Sequence, residues 1–206
     1  MLIKEKESDK RDRILETALS LFAHYGFSKT TVNDIADHIS LSSTLIYHYY
    51  PDKNALFEAV LNKLTLNYKH EVEEAFAKSA SAEEALNNQQ TIRNKILQQY
   101  HKLFFGELMH SSKDVFMQLK KTVDLNEERL VVAAINMGVQ SGEFELKMSV
   151  KEHATLILTV LSSVFSSSCQ NVSVVMKEAD LEELTVLQQQ VLTQFILALK
   201  YKSKVD

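Results

Sequence analysis

Glycine and proline are scarce: four and one in 206 residues. So few breakers leave little room for the many tight turns of a sandwich or barrel, and the chain is expected to be all-α. Cys169 is the only cysteine. It excludes an intrachain disulfide, fits a reducing cytoplasm and reads as a small packing residue rather than a nucleophile. No apolar run approaches the roughly 20 residues that span a bilayer. The longest, residues 154–165, is broken by Thr and Ser. Residues 1–11, MLIKEKESDKR, lack the apolar core of a secretory signal. Nor is there an excess of basic charge: the formal net charge is −4, which rules out a general nucleic-acid coat. Gly-x-Ser-x-Gly, phosphate-loop and dinucleotide motifs are absent, so no enzyme and no cofactor are expected. Glu107 and His110 form the one Glu-x-x-His pair, whereas a di-iron bundle needs two with two further Glu. His70-Glu71 has no second His four residues on, so the zinc-protease pattern fails too. No metal site is expected.

What is present centres on residues 31–53, TTVNDIADHISLSSTLIYHYYPDK when read from Thr30. Thr31 is placed to cap a short helix, with Asp34 as its capping-box partner. Val32, Ile35, Ala36 and Ile39 then recur at helical spacing. Ser40 and Leu41 break that pattern. Ser42 can cap a second helix, with Leu41 and Ile46 at the staple positions. The inward face of this helix is Leu45 or Ile46, with Tyr49 and Tyr50. The other face carries Ser43, Thr44, Tyr47 and His48, two hydroxyls and two planar rings with no acid. Such a face suits phosphates and base edges. The surrounding charge is not basic: in residues 1–53, Lys4, Lys6, Lys10, Arg11, Arg13, Lys29 and Lys53 are outnumbered by one by Glu5, Glu7, Asp9, Asp12, Glu16, Asp34, Asp37 and Asp52.

Gly26-Phe27, Thr31-Val32, Ile35-Ala36, the run Tyr47-His48-Tyr49-Tyr50-Pro51-Asp52-Lys53 and Leu56, in that order, resemble the TetR family of transcriptional regulators. The resemblance covers about the first quarter of the chain, and the ordered combination is specific where each piece alone is weak. Ser40 stands where the family usually has Gly, Thr44 where it often has Gly, and Tyr50 where it usually has Phe. The resemblance implies that Tyr47 and Lys53 hold the DNA backbone. Thr31, through hydroxyl and amide, is a further phosphate candidate. Asn33, Ser43, Thr44, Leu45 and His48 are candidates for base edges: Asn pairs with adenine, and Thr or Leu packs on a thymine methyl.

Before this stretch, residues 1–8 are expected to form a loose arm. A helix from Ser8 or Asp9 carries Ile14, Leu15, Ala18, Leu21, Phe22 and Tyr25 on one stripe and ends at Gly26. After it, Asp52 can cap a long helix from Lys53 to about Ala77. A polar stretch at 79–90 is expected to be a turn with a frayed helical piece. Helices are then expected near 91–109, 112–122, 125–140, 150–170 and 180–201, about nine in all. Gly106 and Gly142 mark ends, and Gly138 inside a helix points to a close packing neighbour. Ser149 with Glu152, and Asp180 with Glu183, signal the starts of the last two helices.

The expected architecture is thus a DNA-binding helix-turn-helix head at 1–53 and a larger helical effector-binding and dimerisation domain at 54–206. The resemblance implies a ligand pocket in the larger domain, for which Tyr68, Tyr100, Phe104, Met109, Phe116, Met137 and Phe165 are candidates, with ordinary core as the alternative. No buried acid cluster is evident, so the effector is expected to be a small, mostly apolar molecule. Leu158, Leu161, Ser162, Phe165, Ser166 and Cys169, with Leu184, Leu187, Val191, Phe195 and Leu199, suit a four-helix homodimer seam across a two-fold axis, burial within one subunit being the alternative. The functional expectation is a ligand-responsive repressor that binds a near-palindromic operator as a dimer. The rival is a helical ligand-binding or interaction protein whose head no longer binds DNA.

Overall fold

The computed structural model describes residues 2–103, 113–170 and 178–200, with side chains at 7–101, 103, 121–164 and 179–200. The described residues form eight helices: α1 Leu2–Tyr25, α2 Val32–His38, α3 Ser43–Tyr49, α4 Lys53–Lys78, α5 Ala82–Lys102, α6 Lys113–Ser141, α7 Val150–Gln170 and α8 Glu178–Lys200. They fall into two compact units. One comprises Met1–Asn67 with Gln99–Lys120, the other Tyr68–Gln98 with Lys121–Asp206.

The first unit is built on the α1 stripe. Ile14, Ala18 and Phe22 are fully buried against Ile35 of α2, Ile46 of α3, and Leu56 and Val60 of α4. Phe22 meets Phe57 edge-on at 5.4 Å, a favoured aromatic geometry. Helix α1 begins at Leu2, not at Ser8 or Asp9. Leu, Lys and Glu in this segment are good helix formers, so no loose arm is needed. It ends at Gly26, whose φ of 89° is the left-handed C′ conformation.

The second unit holds two apolar clusters. Tyr68, Val72, Ile92 and Leu130 make one. Ala82, Ala85, Leu86, Val131, Ile135, Ile157, Leu161, Leu192 and Ile196 lie in the other. Three expectations fail here. Residues 82–90 are regular helix: Ser81 Oγ accepts from the Glu84 amide at 3.1 Å, and Ala82, Ala85, Leu86, Gln89 and Gln90 are buried. The polar Gln89 and Gln90 mask that stripe in the sequence. The helices expected at 112–122 and 125–140 are one continuous α6; no Gly or Pro interrupts residues 113–137. Asp180 stands inside α8, which already includes Glu178, so it is not the cap. The Ser149–Glu152 box does form, with Ser149 N donating to Glu152 at 2.8 Å and Glu152 N to Ser149 Oγ at 3.2 Å.

Gly138 has the close neighbour its position demands. A Cβ there would lie 2.7 Å from Cε2 and Cγ of Phe144, inside any normal contact. Phe144 is buried, and its amide donates to the Gly138 carbonyl at 2.9 Å. Just before it, Gly142 turns the chain at φ 74°. Glu143 then accepts from the Ala82 and Glu83 amides at 2.9 and 3.1 Å, capping α5 from 61 residues away. Lys200 pairs with Glu83 and, at 3.7 Å, with Glu143.

Candidate nucleic-acid interface

The residues that open α2 form a complete reciprocal cap. Asp34 N donates to Thr31 Oγ1 at 3.1 Å, and the Asp34 carboxylate accepts from Thr31 N and Thr31 Oγ1, both at 2.7 Å. The Thr31 amide and hydroxyl hold the Asp34 carboxyl below its ordinary value. Both donors of Thr31 that could meet a phosphate are therefore engaged with Asp34 in the DNA-free chain.

Between α2 and α3 the chain turns on Ser40. Its φ is 54°, the left-handed region that favours Gly. The turn is closed by Ser40 N to the Asp37 carbonyl at 3.2 Å and Leu41 N to the Ala36 carbonyl at 2.9 Å. This is the paired bonding of a Schellman motif, so serine makes the turn that glycine would. Arg13 reaches the same helix end, its guanidinium donating to the Ile39 carbonyl at 3.3 Å. Helix α3 then starts under the Ser42 cap, whose Oγ accepts from Leu45 N at 3.3 Å.

Ile46 fixes how α3 faces. It is fully buried, with Tyr49 and Tyr50 packed against the same core. Leu45 is half-buried, so Ile46 is the inward residue of that pair. Thr44, Tyr47 and His48 are exposed and Ser43 half-exposed; on α2, Asn33, two residues after Thr31, is exposed too. The outer face of α3 presents a hydroxyl, a phenol and an imidazole, and the helix sequence STLIYHY has no acid. Asp52 caps α4 through the Ala55 amide at 2.8 Å. Lys53, the first residue of α4, has its ammonium 4.2 Å above the centre of the Phe27 ring.

Four of the eight acids in residues 1–53 are engaged internally. Asp12 and Glu16 accept from Lys63 at 2.9 and 3.2 Å, Asp34 is locked to Thr31, and Asp52 caps α4. The carboxylates of Asp12 and Glu16 outweigh the desolvation of Lys63 and hold its pKa up. The excess of acid in the sequence therefore does not lie on the outer face of α3.

This helix-turn-helix coincides with a match to the bacterial regulatory proteins, tetR family, over residues 14–60. The head, residues 14–60, is that of a TetR-family regulator. The chain is 45% identical over 47 residues to the probable acrEF/envCD operon repressor of Escherichia coli K12, covering 23% of this chain and 21% of that one. The aligned stretch spans about a fifth of the length of the curated relatives it matches first. Among solved structures, a transcriptional regulator from Cytophaga hutchinsonii superimposes with a TM-score of 0.81 at 26% identity, covering 93% of this chain and 99% of that one. The fold is also that of FadR from Bacillus subtilis in complex with stearoyl-CoA, with a TM-score of 0.63 at 18% identity and coverage of 89% and 96%.

The ligand candidates are placed less simply. Tyr68 is buried in the second unit, and Tyr100 packs on the core of the first, where the backbone of α5 kinks at Tyr100 itself (φ −119°, ψ 18°). Met137 packs against the other cluster of the second unit. These three belong to three different clusters. Phe104 and Met109 lie outside the described residues, as do Glu107, His110 and Gly106, and so do the side chains of Phe116, Phe165, Ser166 and Cys169. Among the described residues one acid, Glu127, is buried. Glu127 accepts from Tyr68 Oη at 2.7 Å and from Arg93 Nη1 at 2.9 Å. Burial, and then the Glu127 charge, push the Tyr68 phenol well above its ordinary value, so it stays a donor. The sequence pattern gives no sign of Glu127, because an acid on a helix normally faces water. Among the described residues, no group of three or more His, Cys, Asp and Glu could hold a metal.

Proposed function

We propose that this chain is a TetR-family DNA-binding transcriptional repressor, released from a near-palindromic operator by a small, mostly apolar molecule. The observation that carries the reading is the exposed, acid-free face of α3, held proud of its core by Ile46 and by a properly closed turn at Ser40. Tyr47 and Lys53 hold phosphates, with Thr31 joining them if Asp34 yields. Asn33, Ser43, Thr44, Leu45 and His48 meet base edges, as their hydroxyl, amide, ring and methyl groups allow. The division of labour is residues 1–53 for DNA and 54–206 for effector and dimerisation. The alternative of a non-functional head rests on Ser40 and the acidic excess. The formed Schellman turn removes the first support, and the acid-free outer face of α3 weakens the second.

A homodimer through the last two helices is supported by what those helices leave uncovered. Leu161, Leu184 and Leu199 are buried within the subunit, and Leu158, Val191 and Phe195 pack on its core. The sequence-based seam therefore shifts outward. Leu156 on α7 and Val186, Leu187 and Leu197 on α8 remain about half exposed, and the α8 residues recur on one helical stripe. Two copies present two α3 helices, which calls for half-sites about 34–36 Å apart. Lys53 and Tyr68 lie on the same unbroken α4, so a ligand that displaces α4 near Tyr68 disturbs the docking of both heads. Among the described residues no helix is long and apolar enough to cross a membrane, and a cytoplasmic location fits the proposed task.

Footprinting on the DNA flanking the chain's own gene tests the reading. The expected result is a symmetric protected near-palindrome. Lys53→Ala should weaken binding to every sequence and lower the salt slope by about 1 for each phosphate no longer neutralised, while Thr44 or His48 changes should alter sequence preference. Protection of one asymmetric half-site by a monomer would overturn it.

A further inference from the structure

Lysine has four rotatable bonds, and an exposed ammonium on such a stem samples many positions. Lys53 is not left to do so. Its ammonium sits 4.2 Å from the centre of the Phe27 ring. That ring is fixed in turn by Phe57 at 4.5 Å and Phe22 at 5.5 Å, and both of these are buried. Phe57 follows Lys53 by one helical turn, so the two occupy one face of α4 and meet the same ring. The negative face of an aromatic attracts a cation at this distance while leaving its outer hydrogens directed away from the ring. The Lys53 charge also adds, after the Thr31 bonds, to the lowering of the Asp34 carboxyl.

We infer that Phe27 is a positioning residue for DNA binding, its ring holding the Lys53 ammonium where a backbone phosphate is to be met. The inference rests on the proposed role of Lys53 as a phosphate contact. Phe27 itself touches no DNA in this scheme. It reduces the freedom Lys53 would lose on binding, and the effect is independent of sequence because a phosphate carries none.

The test is a double-mutant cycle, with binding to mixed-sequence duplex DNA measured across a salt series. Phe27→Leu keeps an apolar side chain under Lys53 and removes the ring face. It should weaken binding about 2–5-fold per head, the size of an exposed cation–π interaction. It should do nothing further in a Lys53→Ala background, and Phe27→Tyr should bind like the parent. Equal losses from Phe27→Leu with and without Lys53, no loss, or tighter binding would each overturn the inference. If Lys53→Ala leaves affinity and salt slope unchanged, the reading of Lys53 itself falls, and this inference with it. Proton NMR of the parent protein provides a measurement that no folding defect can cloud. The Lys53 ε-methylene protons should be displaced upfield by the Phe27 ring current, and ordinary solvent-exposed shifts would refute the placement.

Discussion

Replacing Gly138 by alanine should destabilise this protein, against the usual sign for a glycine inside a helix. Propensity alone favours alanine by about 1 kcal/mol. The new methyl, however, would stand 2.7 Å from two ring carbons of Phe144, where carbon atoms rest at about 3.5–4.0 Å. The ring must retreat by about 1 Å. The ring is buried, with little room for another rotamer, and its backbone is held: the Phe144 amide is tied to the Gly138 carbonyl, Glu145 N donates to the Leu199 carbonyl at 2.8 Å, and Glu143 just before Phe144 caps α5. Overpacking of a buried site costs about 1–3 kcal/mol. A value in the upper half of that range, less the propensity gain, leaves a net loss of about 1–2 kcal/mol. In urea at fixed protein concentration this is a fall in midpoint of about 0.5 M. The decisive comparison is the same change in a Phe144→Ala background. That background is itself weakened by about 3–5 kcal/mol, but it has no ring to strike. There Gly138→Ala should stabilise by about 1 kcal/mol. A raised midpoint in the parent, or the same shift in both backgrounds, would refute the steric argument.

Arg93→Ala should cost about 3 kcal/mol in a denaturant melt, because it strips the cation paired with the buried Glu127 and leaves that carboxylate to Tyr68. Tyr68→Phe should cost about 2 kcal/mol, the range for a hydrogen bond to a charged group; a neutral result for either would mean that water satisfies Glu127. Ser40→Gly should stabilise by about 0.5 kcal/mol, since relief of the left-handed backbone at φ 54° slightly exceeds the added freedom of the unfolded chain. DNA affinity should not change, and a fall in melting temperature would show that the Ser40 side chain contributes something its exposed position does not reveal.

How far the sequence can be read depends on how far apart the partners lie along the chain. The Thr31–Asp34 box, the Ser42 and Asp52 caps and the left-handed Gly26 each join residues within four positions, and each is legible from residue type and spacing. The acids that make the head look unfit for DNA are visible as well. What cannot be read is that Asp12 and Glu16 belong to Lys63, some fifty positions on. Helix α5 shows the same limit from the other side. Its N-terminal amides are capped by Glu143, and its polar stripe is buried by residues far along the chain: Gln188, fully buried, donates to the Leu161 carbonyl at 3.0 Å and accepts from Gln90 at 3.4 Å. With partners so distant, a stretch rich in Gln and Asn looks like a surface turn until the fold supplies them. Gly138 lies between these cases. Its place inside a helix announces a neighbour, and only the turn through Gly142 shows that the neighbour is Phe144. Lys53 is comparable: its type and setting mark it for a phosphate, while the ring beneath it comes from Phe27, on the far side of two helices in sequence. Where a local rule is broken, at Ser40, Gly138 or the buried Gln188, the compensation is non-local or conformational, and those are the positions where substitution should have effects that residue type alone does not foretell.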